Sequence, residues 1–387
     1  MLKRLMGCLK QIATNRRTLI IWISILLSLS ITGIFAATTT MFDEGQYLKA
    51  ITGVTIKIRH PGFWAPLHIA YLFSHSINLV KFLLILSYST LAFTLPMLYS
   101  EFLRMSGSEV VYDEVLKLSL ITLLHPLIVY YSVRILTEPL SYSLLILLMI
   151  LIIKLKSIKA RFLEGLLFGY VVLTKYITIT VFPALTYLVF YSERAKNKKR
   201  RFASLITFTL GSGMIGLLMI TINFIIFNVP LYIFREVGAP EIWYTTVRSH
   251  FITALLAIIA GLITVSFPYL VSLLHCIIRH VPHLDLLNSI KESSSLIKFL
   301  VLWILPFAII SYIHLTGMAP QDFRVTDHIR LTTINVYPIS LLAMFIHYKL
   351  KRYPSTRFIV VYFILSITLV VLLNIFYGNL TKFLGIR

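Results

Sequence analysis

Three carboxylates and a scatter of cations carry whatever chemistry this sequence can do. Asp43 and Glu44 stand side by side in FDEGQYLKAI, just after an apolar stretch, and Glu138 stands in LTEPLSYSLL between two others. A carboxylate held against an acceptor hydroxyl can take its proton. Neighbouring residues on a helix point about 100° apart, so only one of Asp43 and Glu44 can face a given site squarely. Glu138 has two readings: an ionisable group at the edge of the hydrocarbon, which marks function, or a first-turn carboxylate favoured by the helix dipole. The accompanying cations, Lys175 and Arg330 among them, suit an anionic ligand such as a lipid phosphate. Arginine grips such a group with two N–H bonds, and lysine offers a point charge. Taken singly, each is better explained by contact with outer-leaflet headgroups; the set as a whole, with acids placed among the cations, points to an anionic ligand.

The elements that must position these groups follow from composition. Of 387 residues, 58% are hydrophobic and 13% charged, with a mean hydropathy of +0.86. A soluble domain carries about 25% charged residues to cover its surface. The chain therefore reads as an all-α, polytopic bundle of transmembrane helices, a single transmembrane domain over 1–387 with no large soluble part. The formal charge of +21 does not point to nucleic acid, because Lys and Arg occur in short runs between long apolar segments. That is the pattern of cytoplasmic loops.

Apolar spans are expected near 18–37, 79–100, 116–133, 138–154, 162–174, 177–191, 203–227, 251–275, 299–316, 331–348 and 358–377, about eleven in all. The first, preceded by Arg16-Arg17, reads as a retained signal anchor. With the N-terminus in the cytoplasm, about two thirds of the Lys and Arg fall on the cytoplasmic side, as the positive-inside rule asks. Two regions are unusual. Both flanks of 162–191 are strongly basic, which demands a hairpin of two short spans with Lys175 near its outer tip. Each arm is roughly 21 Å long, against a 30 Å core. The stretch 63–78 is apolar but too short and His-rich to span, and reads as a helix lying in the outer interface. It belongs to the main outer loop, 38–78; shorter outer loops are expected at 228–250 and 317–330.

Five segments in order, FDEGQYLKA, HPGFWAPLH, LTEPLSYSLL, EGLLFGYVVLTKY and DHIRLTTINVYP, resemble the integral-membrane glycosyltransferases of the GT-C fold. Those enzymes use polyprenyl-phosphate-linked sugars; protein mannosyltransferases and lipid A aminoarabinose transferases are examples. The resemblance runs from about residue 18 to 350. It implies a sugar moved from a polyprenyl-phosphate donor to an acceptor hydroxyl on the outer face, with inversion if the step is a single displacement. It implies Asp43 as the base, with Glu44 and Glu138 as supporting or acceptor-orienting acids. Lys175, His328 and Arg330 then hold the donor phosphate, and Arg59 and Tyr47 join the binding set. The missing C-terminal outer domain of larger members favours a small or membrane-embedded acceptor. A prokaryotic plasma membrane fits the short loops better than the endoplasmic reticulum.

No metal site is expected. His60, His68 and His75 share the outer loop, but the i, i+3 or i, i+4 spacing of helical ligand pairs is missing. No cofactor is expected either, and divalent-cation dependence is the observation that would add one. Two other classes fit the same features. A lipid or lipid-sugar transporter or flippase would also need many spans and intramembrane charge, although no internal repeat is visible. A non-catalytic subunit of a membrane glycosylation complex would share the acidic pair.

Overall fold

A computed structural model describes residues 16–35, 42–54, 60–193, 196–227, 251–277, 294–316, 330–351 and 353–383. The protein is all-α. In chain order the helices are α1 (Arg16–Phe35), α2 (Phe42–Ile51), α3 (Pro61–Ser74), α4 (Ile77–Ser89), α5 (Leu91–Met105), α6 (Tyr112–Leu123), α7 (Pro126–Ser132) and α8 (Glu138–Lys154). There follow α9 (Ile158–Thr174), α10 (Phe182–Ser192), α11 (Lys198–Phe227), α12 (Phe251–Ile277), α13 (Ser294–Thr316), α14 (Val336–Lys349) and α15 (Thr356–Phe383), with 3-10 turns at Tyr176–Val181 and Thr333–Asn335.

Six helical stretches among the described residues are long and apolar enough to cross a membrane: 77–105, 198–222, 254–274, 294–313, 330–349 and 356–373. The pair α6 and α7, bent by 64° at a short break, makes a seventh if it is one broken span. Several long apolar helices give the chain the build of an integral, multi-pass membrane protein. Of the other expected spans, the first is α1, a helix of 20 residues, whereas α8 and α9 have 17 and α10 has 11. A 30 Å core asks for about 20.

Two kinds of apolar helix separate core from periphery. Helix α8 is apolar on all sides and buried on nearly all of them, which is where such a helix must go. By contrast α11, α12, α13 and α15 are equally apolar yet expose Leu210, Leu217, Leu256, Leu305 and Leu365. Water would not tolerate so continuous an apolar surface on a monomer; hydrocarbon does.

Helix α8 sets the distance between two charged ends. Its 17 residues span about 25 Å at 1.5 Å per residue. At its start Glu138 pairs with Lys175 and Arg330; at its close Lys154 pairs with Glu101, 2.7 Å away. Both termini suit the helix dipole, acid at the N-terminus and base at the C-terminus. The expected hairpin is present between these ends. Helices α9 and α10 are the arms, and Arg161 of the first arm meets Glu193, just past the second, at 2.9 Å. Lys175 sits at the turn between them.

The base of the hairpin is a buried charge cluster. Arg161 donates to Glu164 at 2.7 Å, to the carbonyl of Ile152 at 2.8 Å and to Ser192 at 3.0 Å. Its side chain is fully buried, so these partners replace the water it gives up. The first arm packs on α11 with almost no space between backbones. A Cβ on Gly165 would stand 2.1 Å from the Phe208 carbonyl oxygen, and one on Gly211 would stand 2.3 Å from that of Phe162. With Gly169 against Ile215, this is the small-xxx-small contact by which membrane helices approach closely.

The expected span 116–133 is not one straight helix. Pro126 has no N–H to donate and pushes His125 out of helical geometry (ψ 122°), the usual effect on the residue before proline. The carbonyls freed there find side-chain donors. Tyr88 donates to Leu123 at 2.5 Å, Tyr362 to Ile121 at 3.3 Å, and Ser366 to Leu124. Non-helical backbone at membrane depth survives only when it is satisfied in this way.

Candidate functional site at the Glu138 end of the bundle

Glu138 begins α8, with Pro139 in its first turn, a position where a missing N–H costs nothing. That start fixes where the carboxylate points. Three elements converge on it. Lys175, at the turn of the hairpin, donates to Oε1 at 2.8 Å. Arg330, on the turn leading into α14, donates from Nε to Oε1 at 2.6 Å and from Nη2 to Oε2 at 3.2 Å. The Thr137 hydroxyl donates to Oε2 at 3.3 Å. Both oxygens thus accept two bonds, close to the capacity of an ionised carboxylate. All three charged side chains are buried.

Tyr142, one turn after Glu138 on the same face of α8, extends the cluster. Its hydroxyl accepts from Lys175 at 3.0 Å and shares a hydrogen bond with Thr333, whose hydroxyl is also 2.5 Å from the Arg330 carbonyl. The ammonium group also lies 4.9 Å from the Tyr142 ring centroid, within cation–π range. Tyr142 in turn packs edge-on against Tyr337 of α14.

A second carboxylate supports the approach to this cluster. Glu44 projects from α2 into the segment 133–137, where Oε1 accepts the Ile135 N–H at 3.0 Å and Oε2 pairs with Arg134 at 3.2 Å. Arg134 also reaches the Tyr130 hydroxyl at 3.3 Å and lies over that ring. The segment that Glu44 holds is the one that delivers Thr137 and Glu138. An aromatic run lines the neighbouring side. Tyr47 of α2 packs against Phe63 and His60, and His60 stacks on Tyr176 at 4.4 Å between ring centroids. The His60 N–H donates to the Tyr176 hydroxyl at 3.1 Å, which ties the start of α3 to the residue after Lys175. His60 has a left-handed φ of 57°, a conformation that a non-glycine residue holds only when its surroundings fix it.

Glu138, Lys175 and Arg330 are therefore brought together, Glu44 is bound to the segment leading into them, and Tyr47 is buried beside it. Asp43 lies in α2 next to Glu44, but its side chain is outside the described set, and Arg59 and His328 lie outside the described residues. The helix expected over 63–78 is shorter at its far end: α3 stops at Ser74, His75 turns left-handed (φ 50°) and residue 77 already begins α4, while Phe73 and Ile69 are exposed on α3. Arg134, Tyr142 and Thr333 were not anticipated as site residues. The i, i+4 spacing of Glu138 and Tyr142 is a readable signal for one of them. The pairing of Glu44 with Arg134 has no such signal.

Chemically, the cluster is a buried carboxylate gripped by a lysine and a forked arginine, with tyrosine and threonine hydroxyls completing the shell. In apolar surroundings such groups are costly unless paired. The lysine and the arginine spend these donors on the one carboxylate, which holds both cations at a single point inside the bundle. Among the described residues, no group of three or more His, Cys, Asp or Glu side chains is placed to hold a metal ion. Comparisons of the chain with protein-family models, with curated proteins and with solved structures find no match.

Proposed function

We propose that this protein is a membrane glycosyltransferase of the GT-C type. It moves a sugar from a polyprenyl-phosphate donor to an acceptor hydroxyl, with the Glu138 end on the outer face. The observation that carries this reading is the meeting of Lys175 and Arg330, from distant parts of the chain, on the single carboxylate of Glu138. The acid keeps two cations in place inside the bundle, and those cations meet the donor phosphate. The remaining expected spans, to a total of eleven, belong to the same proposal.

In the reaction the acceptor oxygen forms a bond to the anomeric carbon while the bond from that carbon to the phosphate oxygen breaks. Asp43 takes the acceptor proton, and polyprenyl phosphate leaves with the electron pair. Cationic side chains at the leaving phosphate oppose the growth of negative charge and so lower the barrier. Glu138 and Glu44 act as positioning residues, since the oxygens of both are taken up by N–H donors. The acceptor is small or embedded in the membrane.

The test is release of polyprenyl phosphate by purified protein in lipid, from a panel of lipid-phosphate sugars, with wild type and Asp43→Asn side by side. Turnover that disappears in the variant establishes the reaction class. Donor binding without turnover moves weight to a non-catalytic subunit, and no binding ends the glycosyltransferase reading.

One observation favours a transporter or flippase as the second reading. Helices α6 and α7 form a broken pair bent by 64°, and transporters build sites at such breaks. The freed carbonyls here are held by Tyr88, Tyr362 and Ser366, which leaves them engaged with side chains and makes this the weaker reading.

A further inference from the structure

At the end of α9 remote from Lys175, two connections put cations on one surface. The link from α8 and the first turn of α9 expose Lys156 and Lys159; the link from α10 and the first turn of α11 expose Lys196, Lys198 and Lys199. The two links are fastened to each other. Arg200 donates from Nη2 to the Lys156 carbonyl at 2.8 Å, and Arg201 donates from Nε to the carbonyls of Glu193 and Lys196, each at 3.2 Å. Both helix starts are capped, Ser157 accepting from the Ala160 N–H at 3.1 Å and Asn197 from the Arg200 N–H at 2.9 Å. The lysines therefore stand on a fixed backbone.

The acids of this region are turned inward. Glu164 and Glu193 are buried against Arg161, so no acid is exposed among the described residues from 154 to 202. Residues 278–293, between α12 and α13, carry Asp285 and Glu292 together with Arg279 and Lys291, and so no net charge. The helices add to the imbalance. Gly165 lies against Phe208 and Gly211, and Gly169 against Ile215, so α9 and α11 run parallel and their positive ends face the same side. Neither first turn holds an acid. Lysines occupy the positions where the helix dipole favours carboxylates, and an anion bound there corrects the balance.

We propose that this surface binds the headgroups of anionic phospholipids of the leaflet at that end. What selects a lipid over a free anion lies just inside the lysines. Ile158 and Leu163 of α9 and Phe202 and Ile206 of α11 are exposed, and α11 is one of the helices long and apolar enough to cross a membrane. Cations at the helix starts and bare apolar side chains along the next turns match the two parts of a phospholipid, its phosphate and its acyl chains. This site is independent of the reading of the Glu138 end.

The full-length protein, reconstituted in phosphatidylcholine, is given a trace of spin-labelled phosphatidylglycerol or spin-labelled phosphatidylcholine. Electron paramagnetic resonance then reads the fraction of each that is immobilised at the protein. The anionic lipid should be favoured at least about fivefold, because each cation near a membrane surface adds to the attraction. The triple variant Lys156→Gln, Lys159→Gln, Lys199→Gln should lose most of that preference. The control triple Lys298→Gln, Lys351→Gln, Arg357→Gln removes the same charge at other exposed positions and should keep it. Equal immobilisation of the two lipids by wild type overturns the site. Equal loss in the two triples also overturns it, since the attraction then follows net charge alone. Release of the anionic lipid by millimolar inorganic phosphate at fixed ionic strength overturns it as well, because the ligand is then a free anion.

Discussion

Glu138 and Arg330 stand 192 positions apart, and their side chains meet in a forked contact, Nε to Oε1 at 2.6 Å and Nη2 to Oε2 at 3.2 Å. The same Oε1 receives Lys175 at 2.8 Å. A carboxylate inside an apolar bundle thus joins the hairpin of α9 and α10 to the entry of α14. Removing the acid leaves two buried cations facing each other. Glu138→Gln should lower stability by about 3–5 kcal/mol, the usual cost of orphaning a buried charge. Adding Lys175→Met should recover part of that loss, because the two sites share one interaction. Thermal unfolding in a fixed lipid mixture, arranged as a double-mutant cycle, reads both effects, and simple additivity would show that the pair is not coupled.

The two adjacent acids of α2 should separate cleanly. Asp43→Asn should cost about 10²–10⁴ in turnover while leaving the unfolding temperature near that of wild type. Glu44→Gln should lower both, since Glu44 holds the Ile135 N–H and Arg134. Equal loss of stability in the two variants would remove the distinction between base and positioning residue.

Much of this arrangement is legible in the sequence, and the reason is charge. Basic flanks on both sides of 162–191 force a hairpin, and the structure closes it with Arg161 on Glu193. The apolar run of α8, ended by Glu138 and Lys154, gives its depth and direction. What was not legible depends on contact between distant segments. Nothing local tells Arg134 to choose Glu44 over Glu138, although Glu138 is four residues away. The segment 133–137 is not helical, so the i, i+4 neighbourhood never forms. The break at Leu124–His125 was signalled by Pro126 but hidden inside an apolar run of the right length for a span.

The glycine contact between α9 and α11 gives a prediction with a built-in control. Gly165→Leu should disrupt the crossing, because even a Cβ there meets the Phe208 carbonyl oxygen at 2.1 Å. Overpacking of this kind typically costs 1–3 kcal/mol or more. Gly213→Ala, on the same α11, meets nothing within 4 Å and should be neutral or slightly stabilising. If the two substitutions shift the unfolding temperature alike, the helices do not cross as described.

At the base of the hairpin, Arg161→Met leaves Glu164 and Glu193 buried close together without their shared cation. The expected loss is again about 3–5 kcal/mol, with faster proteolysis in the 194–198 connection as the readout besides unfolding. Arg161→Met combined with Glu164→Gln and Glu193→Gln should be more stable than the single variant, because no buried charge then lacks a partner. A triple variant less stable than the single one would show that the carboxylates have other essential partners.

Sidedness is the last prediction, and the two charged ends of α8 make it direct. Val54 and Glu109 are both exposed. Val54 directly follows the Thr52–Gly53 turn that closes α2, the helix that carries Glu44, whereas Glu109 follows α5, whose Glu101 binds Lys154. About 25 Å of α8 separates those ends, so one membrane should lie between the two positions. With Cys8 and Cys276 replaced by serine, Val54→Cys should react with an impermeant thiol reagent added outside intact cells. Glu109→Cys should react only after the membrane is opened. The positive-inside rule, applied to the distribution of Lys and Arg, predicts this polarity, and the reverse labelling would put the Glu138 cluster in the cytoplasmic half of the membrane. Labelling of both positions from the same side would mean that α8 does not cross the bilayer, and the site would then have to be sought in a fold lying along the membrane.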